Sequence, residues 1–225
     1  MLRGRIKINN WIEPLPKHTK LDYYECYAKI VLEELYPEQF VNLRIKDKPD
    51  LQSQDNDCGV EVTIAIDRNE LQSEKLYSDI TYNRVRDKVK ALKRVEECGY
   101  KVENGILHGK TSIDSFYLIM VSFDSKLNKL NDGGYKYFNK NFLFVFSYIY
   151  ADDEMIKEAI IYMQNKQLDK QRQFDKVFVL VPGYLYCLNL YKGNYEIKRI
   201  EFIHQSSQAD RARELVEAYE KNYRY

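Results

Sequence analysis

Asp50 and Glu61 are the two residues whose types and spacing invite chemistry in this chain. Between them lie two short apolar stretches and the polar turn Asp55-Asn56-Asp57, residue types that tolerate the backbone angles of a hairpin loop. After Gly59, Val60, Val62, Ile64 and Ile66 alternate with Glu61, Thr63, Ala65 and Asp67, the pattern of a two-faced strand. A hairpin folded about Asp55-Asn56 sets Asp50 opposite Glu61. Two like charges across a ladder cost about 0.2–1 kcal/mol. A divalent cation between them reverses that sign, because paired carboxylates supply the oxygen ligands that Mg²⁺ or Mn²⁺ takes. The pair is either a tolerated repulsion on a wet face or a metal site. A bulge at Cys58-Gly59 would shift the register and part the two residues.

The elements that must position this pair are legible on both sides of it. From Leu21 to Tyr36, Tyr24, Tyr27, Ala28, Val31, Leu32 and Leu35 recur at helical spacing, with Asp22 as N-cap or first-turn acid and Pro37 as stop. Phe40–Ile45 alternates and predicts the first strand. Residues 67–97 read as mostly helical with a break near Ser78-Asp79; Val85, Val89, Leu92 and Val95 form the apolar face. Arg84, Arg86, Lys88, Lys90, Lys93 and Arg94 occupy the remainder, a basic surface that is either a solvated face or a contact for phosphates. A hairpin turning at Glu103-Asn104-Gly105 follows, then a helix over Ser115–Leu130. Phe142–Tyr150 is a nearly continuous apolar run, as in a strand buried on both faces. A helix over Glu154–Gln167, a strand over Phe174–Val181, a hairpin turning at Lys192-Gly193-Asn194 and a helix from about Ser206 complete the chain. That final helix is expected to bury Ala212, Leu215, Val216 and Tyr219. The order predicts an α/β fold, a mixed β-sheet flanked by helices.

Pro49-Asp50 followed by an apolar strand carrying Glu61-Val62-Thr63 resembles the PD-(D/E)xK motif of the restriction-endonuclease-like nucleases. The resemblance covers about residues 18 to 150 and implies that family's core: a helix, a three-stranded meander, a second helix and a further strand. It also implies a metal-dependent nuclease hydrolysing phosphodiester bonds in DNA or RNA. Asp50 and Glu61, with the Val62 carbonyl and Glu25 from the preceding helix, would then hold Mg²⁺ or Mn²⁺. Glu33 and Glu34 are alternatives to Glu25. The chain departs from the motif at Thr63, which stands where the family has its lysine and supplies no cation. Lys75 is the first candidate to replace it and Lys88 the second. The competing expectation is a fold that has lost catalysis and binds nucleic acid or a protein.

At 225 residues and 44% hydrophobic the chain can build one sizeable core, read here as a single domain over 1–225. Its C-terminal extension, 151–225, runs strand, hairpin and helix after the opening helix. A formal net charge of +1 gives no bulk attraction to nucleic acid, so any positive contact must be local. Arg3, Arg5 and Lys7 alternate in a leader of residues 1–17. Cys26, Cys58, Cys98 and Cys187 form no C-x-x-C pair, which argues against a zinc ribbon or disulfide framework and for a cytoplasmic protein. His18, His108 and His204 form no metal-binding pair. There is no apolar run long enough to span a membrane. Walker, dinucleotide-binding and nucleophile-elbow motifs are missing, so nucleotide-dependent and serine-hydrolase chemistry lack their usual loops. Cleavage of both strands of a duplex would call for a homodimer.

Overall fold

The computed structural model describes residues 14–16, 18–109 and 115–222. The leader cations Arg3, Arg5 and Lys7 lie outside the described residues. The chain divides into two compact units, Met1–Thr19 with Arg68–Thr111, and Lys20–Asp67 with Ser112–Tyr225.

The larger unit is an α/β layer structure. Helix α1 (Tyr23–Leu35) starts where the Asp22 carboxylate accepts the Tyr24 and Glu25 N–H groups, a side-chain N-cap. The meander β1 (Arg44–Ile45), β2 (Leu51–Gln52) and β3 (Cys58–Ile64) follows. Leu51 pairs with Val60 and Gln52 with Gly59, the register expected of a turn about Asp55-Asn56, and no bulge intervenes. The expected strand Phe40–Ile45 shrinks to two residues for a local reason. Asn42 takes a left-handed conformation at φ 50° and ends the extended run. Phe40 turns inward instead and packs on Phe142 and Phe178.

In the smaller unit, α2 (Arg68–Thr81) ends three residues beyond the expected break. Asp87 then caps α3 (Lys88–Glu97) by accepting the Lys90 N–H. Starting the helix there turns Ala91, Val95 and Cys98 inward, leaves Val89 78% exposed and corrects the expected apolar face. Arg84 and Arg86 fall in the connection rather than on a helix. The Arg84 guanidinium donates to the Pro14 carbonyl oxygen at 3.0 Å. The short hairpin β4 (Lys101–Glu103) and β5 (Ile106–His108) turns at Asn104-Gly105, as its sequence predicts.

Back in the larger unit, α4 (Tyr117–Asn131), β6 (Lys140–Phe146), α5 (Asp153–Gln167), β7 (Lys176–Val181), β8 (Tyr184–Asn189), β9 (Asn194–Arg199) and α6 (Phe202–Asn222) complete a seven-stranded mixed sheet in the order β1-β2-β3-β6-β7-β8-β9. Strands β3, β6 and β7 run parallel; the outer pairs are antiparallel. Alternation in β6 divides the core. Phe142, Phe144 and Phe146 join the aromatic cluster beside α1, while Leu143 and Val145 pack with Ile119, Phe123 and Leu127 of α4 and Ile160 of α5. Helix α6 begins four residues before the expected Ser206. It buries Gln208, Ala212 and Val216, whereas Leu215 is exposed. All four cysteines are buried free thiols. Among the described residues, no helix is long and apolar enough to cross a membrane.

Gly59 fixes the packing beneath the hairpin. A Cβ at this position would lie 2.5 Å from Pro49 Cγ and 3.0 Å from the Phe138 ring. Overpacking of that kind costs about 1–3 kcal/mol. Gly59→Ala is therefore expected to lower the urea midpoint by the equivalent of about 2 kcal/mol with the slope unchanged. An unchanged midpoint would mean that Pro49 yields freely.

Candidate functional site

The hairpin brings the two acids together. Glu61 lies opposite Leu143 in the parallel pairing, so its side chain shares the α4 face of the sheet and is 2% exposed. Asp50 sits one residue before β2, and its Oδ2 accepts the Val62 N–H at 2.7 Å. In an extended strand the N–H and C=O of one residue face the same neighbour, so the Val62 carbonyl opens toward Asp50 as well. Thr63 is two residues after Glu61 on the same face, half-buried, with Val145 as its neighbour in the ladder.

The cation at this pair is Lys126. Its Nζ donates to Glu61 Oε2 at 2.7 Å and lies 3.7 Å from Asp50 Oδ2. Lys126 projects from α4 within the stripe formed by Ile119, Phe123 and Leu130, three residues after Phe123 and four before Leu130. A lysine inside an otherwise apolar stripe is the sequence signal that marks it. Lys75 lies on α2 and Lys88 at the start of α3, both in the smaller unit, as are Lys90, Lys93 and Arg94.

Glu25, in the first turn of α1, completes a trio of carboxylates. Burial, then Asp50 and Asp22, push its carboxyl up to about 8, against the opposing pull of Lys126. Burial also raises Asp50 and Glu61; for Glu61 the next cause is Asp50 itself. Both alternatives to Glu25 are engaged elsewhere. Glu33 accepts Lys29 Nζ and the Leu43 N–H, and Glu34 pairs with Arg211 and Gln208. Tyr135 borders the cluster from the Gly133-Gly134 loop, and burial followed by Glu61 raises its hydroxyl above the usual value.

Three carboxylates face one ammonium, so one positive charge is shared among more negative charge than it can neutralise. Glu61 Oε1 is buried and makes no hydrogen bond of normal geometry. Among the described residues, no three acid, histidine or cysteine side chains already converge closely enough to grip an ion. The donor set nevertheless suits a hard divalent cation: two or three carboxylates and a strand carbonyl, with one carboxylate oxygen left over. Comparison with known proteins finds no family model, no curated protein and no solved structure that matches this chain.

Proposed function

We propose that this chain is a metal-dependent nuclease with a restriction-endonuclease-like core, hydrolysing phosphodiester bonds in nucleic acid. One observation carries the reading: the Lys126 ammonium meets the half-buried Asp50 and the buried Glu61, supplying from a helix the cation that Thr63 lacks. Within the larger unit, the order α1, a β1-β2-β3 meander, α4 and a strand parallel to β3 is that of such a core.

In this reading Asp50, Glu61 and the Val62 carbonyl hold Mg²⁺ or Mn²⁺, with Glu25 as the further carboxylate. An ion held there would supply Lewis acidity, lowering the pKa of a water molecule and neutralising charge on the scissile phosphate. Lys126, whose ammonium already stands at Glu61 and Asp50, would donate hydrogen bonds to the attacking water or to a phosphate oxygen and stabilise charge developing there. The exposed cations Lys88, Lys90, Lys93 and Arg94 of α3 are available for sequence-independent phosphate contacts.

The deciding experiment incubates the protein with single-stranded DNA, duplex DNA and RNA, each with Mg²⁺ or Mn²⁺, beside Asp50→Ala and Glu61→Ala. Cutting should require the metal and fall by about 10³ or more in both variants, since a catalytic metal is worth several kcal/mol. Mn²⁺ should also raise the melting temperature of the wild type and neither variant.

A second reading draws on the same geometry. The Lys126–Glu61 contact satisfies part of the buried charge without a metal, as a structural ion pair would in a binding module that has lost catalysis. Absence of cutting together with indifference to Mn²⁺ would select it.

A further inference from the structure

The loop that carries Tyr135 to the acid cluster also carries an exposed aromatic ring with a cation on it. Gly133 and Gly134 adopt φ of 83° and 82°, a backbone that L side chains rarely take, and deliver the chain into Tyr135-Lys136-Tyr137. Tyr135 turns toward Glu61, whereas Tyr137 is 68% exposed. Arg172 ties the two together. Its Nη1 donates to the Tyr135 carbonyl oxygen at 3.0 Å, and its guanidinium carbon stands 5.6 Å from the Tyr137 ring centroid. Arg172 is itself pinned. Its N–H donates to Asn131 Oδ1 at 3.0 Å, and Asn131 Nδ2 donates to its carbonyl at 2.9 Å. On the same rim the Lys136 N–H donates to the Lys48 carbonyl, which sets two exposed residues side by side; the Lys136 ammonium itself donates to Asn56 Oδ1 and stands 5.3 Å from the Phe138 ring centroid.

We infer that this rim is a stacking platform for single-stranded nucleic acid, with Tyr137 holding the face of a base and Arg172, Lys48 and Lys136 drawing in the backbone. The inference rests on the nuclease reading for its cleavage centre and deepens it by naming the strand form of the substrate. An aromatic ring held by a guanidinium on a glycine-led loop offers a base what the interior of a duplex already offers it: a flat, polarisable face. A paired base has both faces covered by its neighbours, so the platform discriminates for unpaired strands. Tyr135 and Tyr137 are two residues apart, at most about 7 Å along the chain. A strand stacked on Tyr137 therefore passes within a few nucleotides of the acid cluster that Tyr135 borders. The flanking cations make the attraction fall with salt, as phosphate contacts do.

Fluorescence anisotropy tests this in EDTA, where no metal-dependent cutting competes. The probes are a labelled 12-nucleotide oligothymidylate and a blunt duplex of the same length, with wild type, Tyr137→Ala and Tyr137→Trp. The wild type should bind the single strand more tightly than the duplex. Tyr137→Ala should weaken the single strand about tenfold or more, the scale of one lost base–aromatic stack, and leave the duplex within about twofold. Tyr137→Trp should retain or improve single-strand binding. A duplex preference in the wild type, no binding of either probe, or equal losses in the alanine and tryptophan proteins would each overturn the platform. Binding is read without metal and cutting with it. A protein that binds the oligothymidylate through Tyr137 yet never cuts would sink the nuclease reading and leave the platform standing.

Discussion

Lys126→Met should cost about 3 kcal/mol of stability at pH 8 and reduce metal-dependent cleavage by about 10²–10³. The first number follows from burial. Removing one partner of a buried ion pair costs about 3–5 kcal/mol, because the other partner is left charged and unpaired. Glu61 is 2% exposed, so water cannot take over from the ammonium. The loss is held toward the low end because Asp50 and Glu61 already have raised carboxyls and can take up a proton. The destabilisation should therefore shrink when the urea titration is repeated at pH 6. The second number is the usual scale for deleting one preorganised donor aimed at developing charge. Lys126→Arg separates the two roles. It keeps a cation beside the acids and should recover much of the stability, while its longer planar fork should not restore the rate. A methionine protein that cuts at the wild-type rate would remove Lys126 from the mechanism.

The Glu25 carboxyl should make the metal-free protein more stable as pH falls from 8.5 to 6, the opposite of the usual acid trend. Its pKa is raised from the ordinary glutamate value to about 8 in the folded state. A folded-state pKa above the unfolded one gives stability that is fully present below the unfolded value and disappears as pH rises through the folded one. The window thus runs from about pH 4.5 to about pH 8. A tenfold gain in proton affinity on folding is worth about 1.36 kcal/mol. Partial exposure of Glu25 reduces the whole to about 2 kcal/mol between pH 6 and 8.5. Asp22, Asp50 and Glu61 face the same carboxyl and act in the same direction. Glu25→Gln should flatten the curve and raise stability at pH 8.5 in EDTA, and the comparison cancels contributions from the histidines. If both proteins follow one pH profile, Glu25 is not in the acid cluster. Added Mn²⁺ should reverse the wild-type trend, since ionised carboxylates hold the metal better.

Most of what surrounds the acid pair could be read from local pattern. The alternation after Gly59 and the Asp55-Asn56-Asp57 turn specify a register, and Leu51 pairs with Val60 accordingly. Asp22 and Gly105 mark a helix start and a turn with residue types that act within a few positions of themselves. What escaped was non-local or depended on one backbone angle. Lys126 reaches Glu61 from a helix 65 positions away, and one lysine among 35 basic residues carries no label beyond its place in an apolar stripe. Asn42 breaks a strand that its neighbours' side chains predict. The boundary at Asp67–Arg68 passes directly from β3 toward α2 without a proline- or glycine-rich linker, so composition does not announce a second unit. Thr63 calls for a replacement lysine, and Lys75 is nearer to it in sequence than the residue that meets the acids.

The burial of all four cysteines gives this fold a built-in chemical clock. Cys98 belongs to the smaller unit, and Cys26, Cys58 and Cys187 belong to the larger. Burial holds the Cys26 thiol up to about 12 and raises Cys58 and Cys187 as well, so the reactive thiolate is scarce while those sites stay closed. Alkylation at each position then proceeds only as fast as the surrounding structure opens. Peptide-resolved labelling of native protein reports the breathing of the two units as separate rates, with no engineered probe.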